Sequence, residues 1–143
     1  MTIDIDKQLS DVQSLLTEDR LAAMSPSERK QVMDVMQALE ISVRREKSQE
    51  EFLCFCSSVW PAFIEGGHHR KMAEKFERVA NGQCKRLIIN MPPRMGKSQL
   101  TSWLLPAWIM GKMPDKKIIM ASHTAELAVR FGRMVRNLIG SDE

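Results

Sequence analysis

The stretch Met91-Pro92-Pro93-Arg94-Met95-Gly96-Lys97-Ser98 concentrates residue types that can hold a phosphate chain. A phosphate-binding loop follows the pattern Gly-x-x-x-x-Gly-Lys-Ser/Thr between a strand and a helix. Gly96, Lys97 and Ser98 fill the last three places, and Met91 stands where the first glycine would be. Gly96 allows the backbone to pass close to a phosphate with no Cβ in the way. The backbone from Pro93 to Gln99, as loop and helix start, turns N–H groups and the positive end of the helix dipole toward an anion. Lys97 is a mobile point charge that can bridge two adjacent phosphates. The Ser98 hydroxyl is placed to ligate Mg²⁺. Pro92-Pro93 stiffens the entry that the missing glycine would have left permissive. Arg94 has two readings. Its guanidinium can spread along a γ-phosphate as charge develops there, which with Lys97 would make a catalytic pair, or it can form a plain contact without catalytic weight.

The elements around this loop are expected to position it. Lys85-Arg86-Leu87-Ile88-Ile89-Asn90-Met91 is a short apolar run rich in β-branched residues without alternation, which predicts a strand buried on both faces. Lys97 to Met110 predicts a helix with Leu100, Trp103, Leu104 and Trp108 on its apolar side, a possible kink at Pro106 and an end at Gly111. Lys116-Lys117-Ile118-Ile119-Met120-Ala121 predicts a second buried strand, and His123 or Thr124 starts a last helix to about Ile139. The order strand, helix, strand, helix predicts an α/β fold with a parallel sheet flanked by helices.

Upstream, the chain reads as helices. Ile5, Leu9, Val12 and Leu16 fall at 4-3-4 intervals within residues 4–24. Ser25-Pro26-Ser27-Glu28 is a capping box with proline at the first helical position. Val32, Met36, Leu39 and Val43 repeat the stripe, and Arg44-Arg45-Glu46-Lys47 ends that helix with positive charge. Two such helices predict a hairpin extension over residues 1–48, ahead of a second domain over 49–143. Ser48-Gln49-Glu50-Glu51 reads as another capping box, opening the apolar Phe52-Leu53-Cys54-Phe55-Cys56. Pro61 and Gly66-Gly67 break the chain, and His68 to Ala80 predicts a helix ended by Asn81-Gly82. His68 and His69 are adjacent, so their rings are not expected to share a helix face. They read as surface or capping residues, with a nucleotide contact as the alternative. Trp60 and Phe63 suit core packing, with stacking on a base as the alternative.

The 143 residues suffice for a real core, and 43% hydrophobic with 27% charged residues excludes collagen, low-complexity disorder and a disulfide-stapled mini-protein. No apolar run approaches the ~20 residues of a membrane helix. Met1-Thr-Ile-Asp-Ile-Asp lacks the basic start of a signal peptide. Cys54, Cys56 and Cys84 make no set of bridges and no zinc-ligand spacing, so they read as reduced packing thiols of a cytosolic protein. The net charge of +3 hides a split. Residues 1–67 hold 7 basic against 12 acidic residues, and residues 68–143 hold 14 against 6. A basic second part suits phosphate or nucleic acid. Arg130, Arg133 and Arg136 share a broad helix face that fits DNA, a neighbouring subunit or plain solvation.

The run Arg86-Leu-Ile-Ile-Asn-Met-Pro-Pro-Arg-Met-Gly-Lys-Ser98 closely resembles the phosphate-loop strand and loop of the large terminase subunits of tailed bacteriophages. Those proteins often carry Pro-Pro-Arg-x-Gly-Lys-Ser without the first glycine. Trp108, the segment Lys117 to Ala128 and the helix His69 to Gly82 are similar too, so the resemblance covers about residues 50–140. It implies a DNA-packaging ATPase. In the family an N-terminal ATPase domain drives duplex DNA into a procapsid and a C-terminal nuclease cuts the concatemer. Carried over by residue, the loop roles fall on Arg94, Gly96, Lys97 and Ser98, with ATP and Mg²⁺ as cofactors. Double-stranded DNA, a portal, a small terminase subunit and further copies in a ring would be partners, with no membrane, in the host cytoplasm. The segment Ser122-His123-Thr124 would couple nucleotide state to movement. Hydrolysis also needs a strand ending in Asp, commonly followed by Glu, and none of Asp115, Glu126, Asp142 and Glu143 follows an apolar strand run. The expectation is therefore the first part of a longer protein, not hydrolytically competent alone. A helicase-like NTPase and a truncated nucleotide-binding product without turnover are the alternatives.

Overall fold

The computed structural model describes Ser14 and residues 24–141. The predicted stripe Ile5 to Leu16 lies outside the described residues. The chain divides into two compact units, Met1–Lys47 and Ser48–Glu143, with the division inside the last turn of the first described helix.

That helix, α1, spans Pro26–Glu50. Its start matches the sequence signal. The Ser25 N–H donates to Glu28 Oε2 at 2.9 Å and the Glu28 N–H donates to Ser25 Oγ at 3.4 Å, satisfying two otherwise orphaned donors. Val32, Met36 and Leu39 are half-buried and Val43 is buried, so the 4-3-4 stripe is the covered face. The helix runs one turn past Lys47. Ser48-Gln49-Glu50 therefore closes α1 and does not form a new capping box.

The second unit is helical throughout its regular structure. After α1 come α2 (Phe52–Val59) and α3 (Gly67–Ala80). A continuous helical run follows, made of α4 (Lys97–Gln99), a π-helical turn (Leu100–Leu104) and α5 (Leu105–Lys112). The last helix is α6 (Ala125–Ile139). The π turn has a local cause. Pro106 has no N–H to return to the preceding turn, and the widened turn just before it takes the Leu105 N–H back to the Leu100 carbonyl, five residues earlier. The Thr124 hydroxyl accepts from the Leu127 N–H and caps α6 as the sequence predicts.

The core is a cluster of Phe52, Cys56, Met72, Ala73, Phe76, Leu100, Leu104 and Trp108 from α2, α3, the π turn and α5. Phe52 sits at its centre. Its ring meets Phe76 edge-on at 5.2 Å between centroids and Trp108 at 5.5 Å. Such pairs add to the area they bury. Two polar bonds fix the packing. The Trp108 indole N–H donates to the Ser48 carbonyl at 2.9 Å, and the Glu77 carboxylate of α3 accepts from the Phe52 N–H at 3.0 Å. Glu77 thereby serves the start of α2, where the Glu51 side chain makes no cap. Burial pushes the Cys56 thiol up to about 12, so it packs as a small apolar side chain, and all three cysteines are free.

The predicted parallel sheet is overturned: among the described residues there is no strand. Residues 85–91 and 116–121 are irregular, and no backbone hydrogen bond joins them. The expectation of burial on both faces fails as well. Ile88 is 87% exposed and Ile119 95%, while Ile89 and Met91 pack on the core. A helix closes its own hydrogen bonds within each turn, whereas a β-branched run becomes a strand only where a second ladder meets it. The regular architecture of the described residues is thus all helical. Gly111 also lies inside α5, which ends one residue later.

Candidate functional site

The loop Met91–Gly96 enters from a core-packed Met91 and leaves into the helical run that begins at Lys97. Where the glycine-first pattern would leave free rotation, Met91 anchors the loop by its side chain. Two residues of the loop adopt left-handed backbone, Arg94 with φ 63° and Gly96 with φ 75°. Arg94 is the only non-glycine residue with positive φ among the described residues. Left-handed residues alternating with right-handed ones curl successive N–H groups around one concavity, the backbone form that binds anions.

The N–H groups of Arg94, Met95, Gly96, Lys97 and Ser98 have no acceptor among the described residues. The first N–H groups of a helix lack intrahelical partners, and here the loop before it adds more. Below them the run is continuous, with the Leu100 N–H on the Gly96 carbonyl at 3.0 Å and the Thr101 hydroxyl on the Lys97 carbonyl at 2.7 Å. Arg94 and Ser98 are exposed and Lys97 is half-buried, and neither cation forms an ion pair with a described carboxylate. Unneutralised cations beside unpaired donors are the composition of an anion site.

Next to the loop lies a pocket of ≈ 230 Å³, walled by Trp60, Phe63, Ile64, His68 and His69 on one side and Arg94, Met95 and Gly96 on the other. Trp60 meets Phe63 at 5.6 Å and Trp103 at 6.0 Å between centroids. Trp60 and Phe63 are both packed against the core and part of this wall, so both roles the sequence allows are compatible with their position. The His68 Nε2 is buried there without a hydrogen-bond partner among the described residues.

The capping role read for the histidines holds at His69, while the surface position and the separation of the two rings need correction. The two rings lie 3.8 Å apart between centroids, and His69 is 9% exposed. The His69 Nδ1 accepts from the Gly66 N–H at 3.1 Å, the place a Glu or Gln takes in a capping box. Its Nε2 faces the Met95 carbonyl at 3.4 Å. Burial first, then the neighbouring His68, lowers its pKa, with the backbone of Met95 and Ile64 and the Glu65 carboxylate pulling the other way. The signal for this contact was the position of His69, three residues into a helix opened by Gly66-Gly67. Its partner on the loop could not be read from one-dimensional spacing.

Of the sequence-predicted residues, Pro93, Arg94, Met95, Gly96, Lys97, Ser98 and Gln99 are brought together at the loop and the helix start. Arg130, Arg133 and Arg136 lie on α6 and are not among the residues that line this pocket. In comparisons with family models, curated proteins and solved structures, nothing matched this chain.

Proposed function

We propose that the chain binds the polyphosphate of ATP with Mg²⁺ at the loop Pro93–Gln99, as part of a DNA-packaging motor of the terminase large subunit type. The observation that carries the binding reading is the run of N–H groups from Arg94 to Ser98 without acceptors, curled by left-handed Arg94 and Gly96. The loop fits the cofactor in charge as well, with Arg94 and Lys97 free of described carboxylates. The packaging assignment rests on the likeness of Arg86 to Ser98 to the terminase loop, together with the basic balance of residues 68–143. Partners, ring assembly and a place in the host cytoplasm follow from that likeness alone.

In this reading the loop amides and Lys97 take the β- and γ-phosphate oxygens, and Ser98 offers its hydroxyl to the metal. Mg²⁺ would neutralise phosphate charge. Arg94, exposed on the loop, would be the side chain to meet the terminal phosphate. No carboxylate lines the pocket beside the loop, so its residues supply binding and charge stabilisation and no Asp or Glu to hold the metal and orient water. Turnover then requires a carboxylate from elsewhere in the complete motor, and nucleotide binding without turnover is the expected activity of these residues by themselves.

Calorimetric titration with Mg-ATP tests the reading. The chain should bind, and Lys97→Ala should weaken binding by roughly tenfold to a hundredfold, the worth of one charge-assisted contact. Equal affinity of the two proteins would remove the loop assignment. Steady-state phosphate release that Lys97→Ala abolishes would overturn the claim that these residues bind without turning over.

A further inference from the structure

We propose that His69 is the positioning residue of the phosphate loop: its imidazole, held by the Gly66 N–H at Nδ1, fixes the Met95 carbonyl from Nε2 and so directs the Gly96 N–H toward the bound anion. The inference rests on the proposed polyphosphate site and goes beyond it, because His69 belongs to no part of the loop motif.

Three geometric facts carry it. The Gly66 N–H donates to Nδ1 at 3.1 Å, so the ring proton of the neutral imidazole sits on Nε2. That Nε2–H faces the Met95 carbonyl, across 26 positions of sequence. The peptide joining Met95 to Gly96 is trans, and a trans peptide points its N–H opposite to its carbonyl. Holding the Met95 carbonyl toward His69 therefore turns the Gly96 N–H away from that ring, and this N–H has no protein acceptor among the described residues.

The ring is itself over-determined. A Cβ built on Gly96 would stand 3.2 Å from His69 Nε2, so the imidazole lies against the loop glycine with little room between them. Phe63 covers the ring at 5.1 Å and His68 at 3.8 Å between centroids. The charged and titratable groups around it are His68, Glu65 and Arg70 on its own side and Arg94 on the loop. Burial in this setting favours the neutral ring, the form in which Nδ1 can accept.

The mutation His69→Phe keeps an aromatic ring of similar size and removes both polar contacts. His69→Gln keeps one acceptor and one donor and can serve as the capping-box residue. With inorganic tripolyphosphate and Mg²⁺ as the probe, His69→Phe should weaken binding about tenfold and His69→Gln should restore it to within about threefold of the parent, the size expected for one aligned hydrogen bond to an anion. Thermal unfolding of both variants separates loss of fold from loss of loop alignment. Should His69→Phe not fold, the ¹⁵N spectrum of the parent's imidazoles decides: tripolyphosphate should shift the His69 Nε2 signal, and a histidine that only caps α3 would not respond. Lys97→Ala serves as the reference. If Lys97→Ala weakens binding while His69→Phe does not, the positioning role fails and the site stands. If neither weakens binding, the site itself fails.

Discussion

The loop at Pro92–Ser98 and the extended segments 85–91 and 116–121 are neighbours in sequence, yet they are held in very different ways. The loop is flanked by residues of the core, Met91 just before it and Leu100 and Leu104 just after it, and has His69 against its glycine. The extended segments set Ile89 and Met91 on the core but leave the neighbouring β-branched Ile88 and Ile119 almost fully in solvent. The difference lies in where hydrogen bonds can close. Helices α2, α3 and α5 complete theirs locally and need only bury one face, so they assemble a core from side-chain contacts. An extended segment offers every N–H and carbonyl to a partner and gains nothing until one arrives.

The contrast makes predictions of decreasing size. Phe52→Ala removes the ring at the centre of both edge-on pairs and should cost about 3–5 kcal/mol, read from urea unfolding followed by helical circular dichroism. A cost below about 1 kcal/mol would mean that the core around the loop is no better packed than the extended segments.

Gly96→Ala should cost about 1–2 kcal/mol for left-handed backbone alone, and its new Cβ must displace the His69 ring at 3.2 Å. The accompanying loss of tripolyphosphate affinity should exceed that of Gly111→Ala, a glycine where an added Cβ meets nothing within 4 Å. Equal effects at the two glycines would show that the loop conformation is not specified.

A third, smaller effect concerns acidity. The folded-state pKa of His69 is lowered by burial and by His68, so its contribution to stability is complete above the ordinary value of 6.5 and is lost as pH falls from there through the folded value. The urea midpoint of the parent should therefore fall more between pH 7.5 and pH 5 than that of His69→Gln, compared under identical salt. Parallel profiles would place no proton linkage at His69.

The smallest effects belong to the open segments. Ile88→Ser and Ile119→Ser should each shift stability by no more than about 0.5 kcal/mol, since neither side chain leaves water on folding. A larger loss would show that these residues are covered in solution and would dissolve the contrast.

How much of this was legible in the sequence depends on the range of the interaction. The α1 stripe, the Ser25–Glu28 box, the Thr124 cap and the apolar side of the run after Lys97 were readable, because each is set by residues within one or two turns. The end of α1 was misplaced, since Arg44 to Lys47 favour a helix end without enforcing one. The strands were misread for a deeper reason. Leu87-Ile88-Ile89 and Ile118-Ile119 state a preference for extended backbone, and the partner that would make a strand is not a property of the segment. The loop itself was legible from Gly96, Lys97 and Ser98, but the left-handed Arg94 and the imidazole of His69 on the Met95 carbonyl depend on packing across 26 positions.

The central claim is that the loop amides form a polyphosphate site. Amide chemical shifts of the ¹⁵N-labelled chain, recorded while Mg-ATP is added, test it most directly. Saturable shifts should be largest at Arg94, Met95, Gly96, Lys97 and Ser98, and Lys97→Ala should need roughly tenfold to a hundredfold more Mg-ATP to reach them. Shifts confined to other residues, or saturation of Lys97→Ala at the same concentration as the parent, would contradict it.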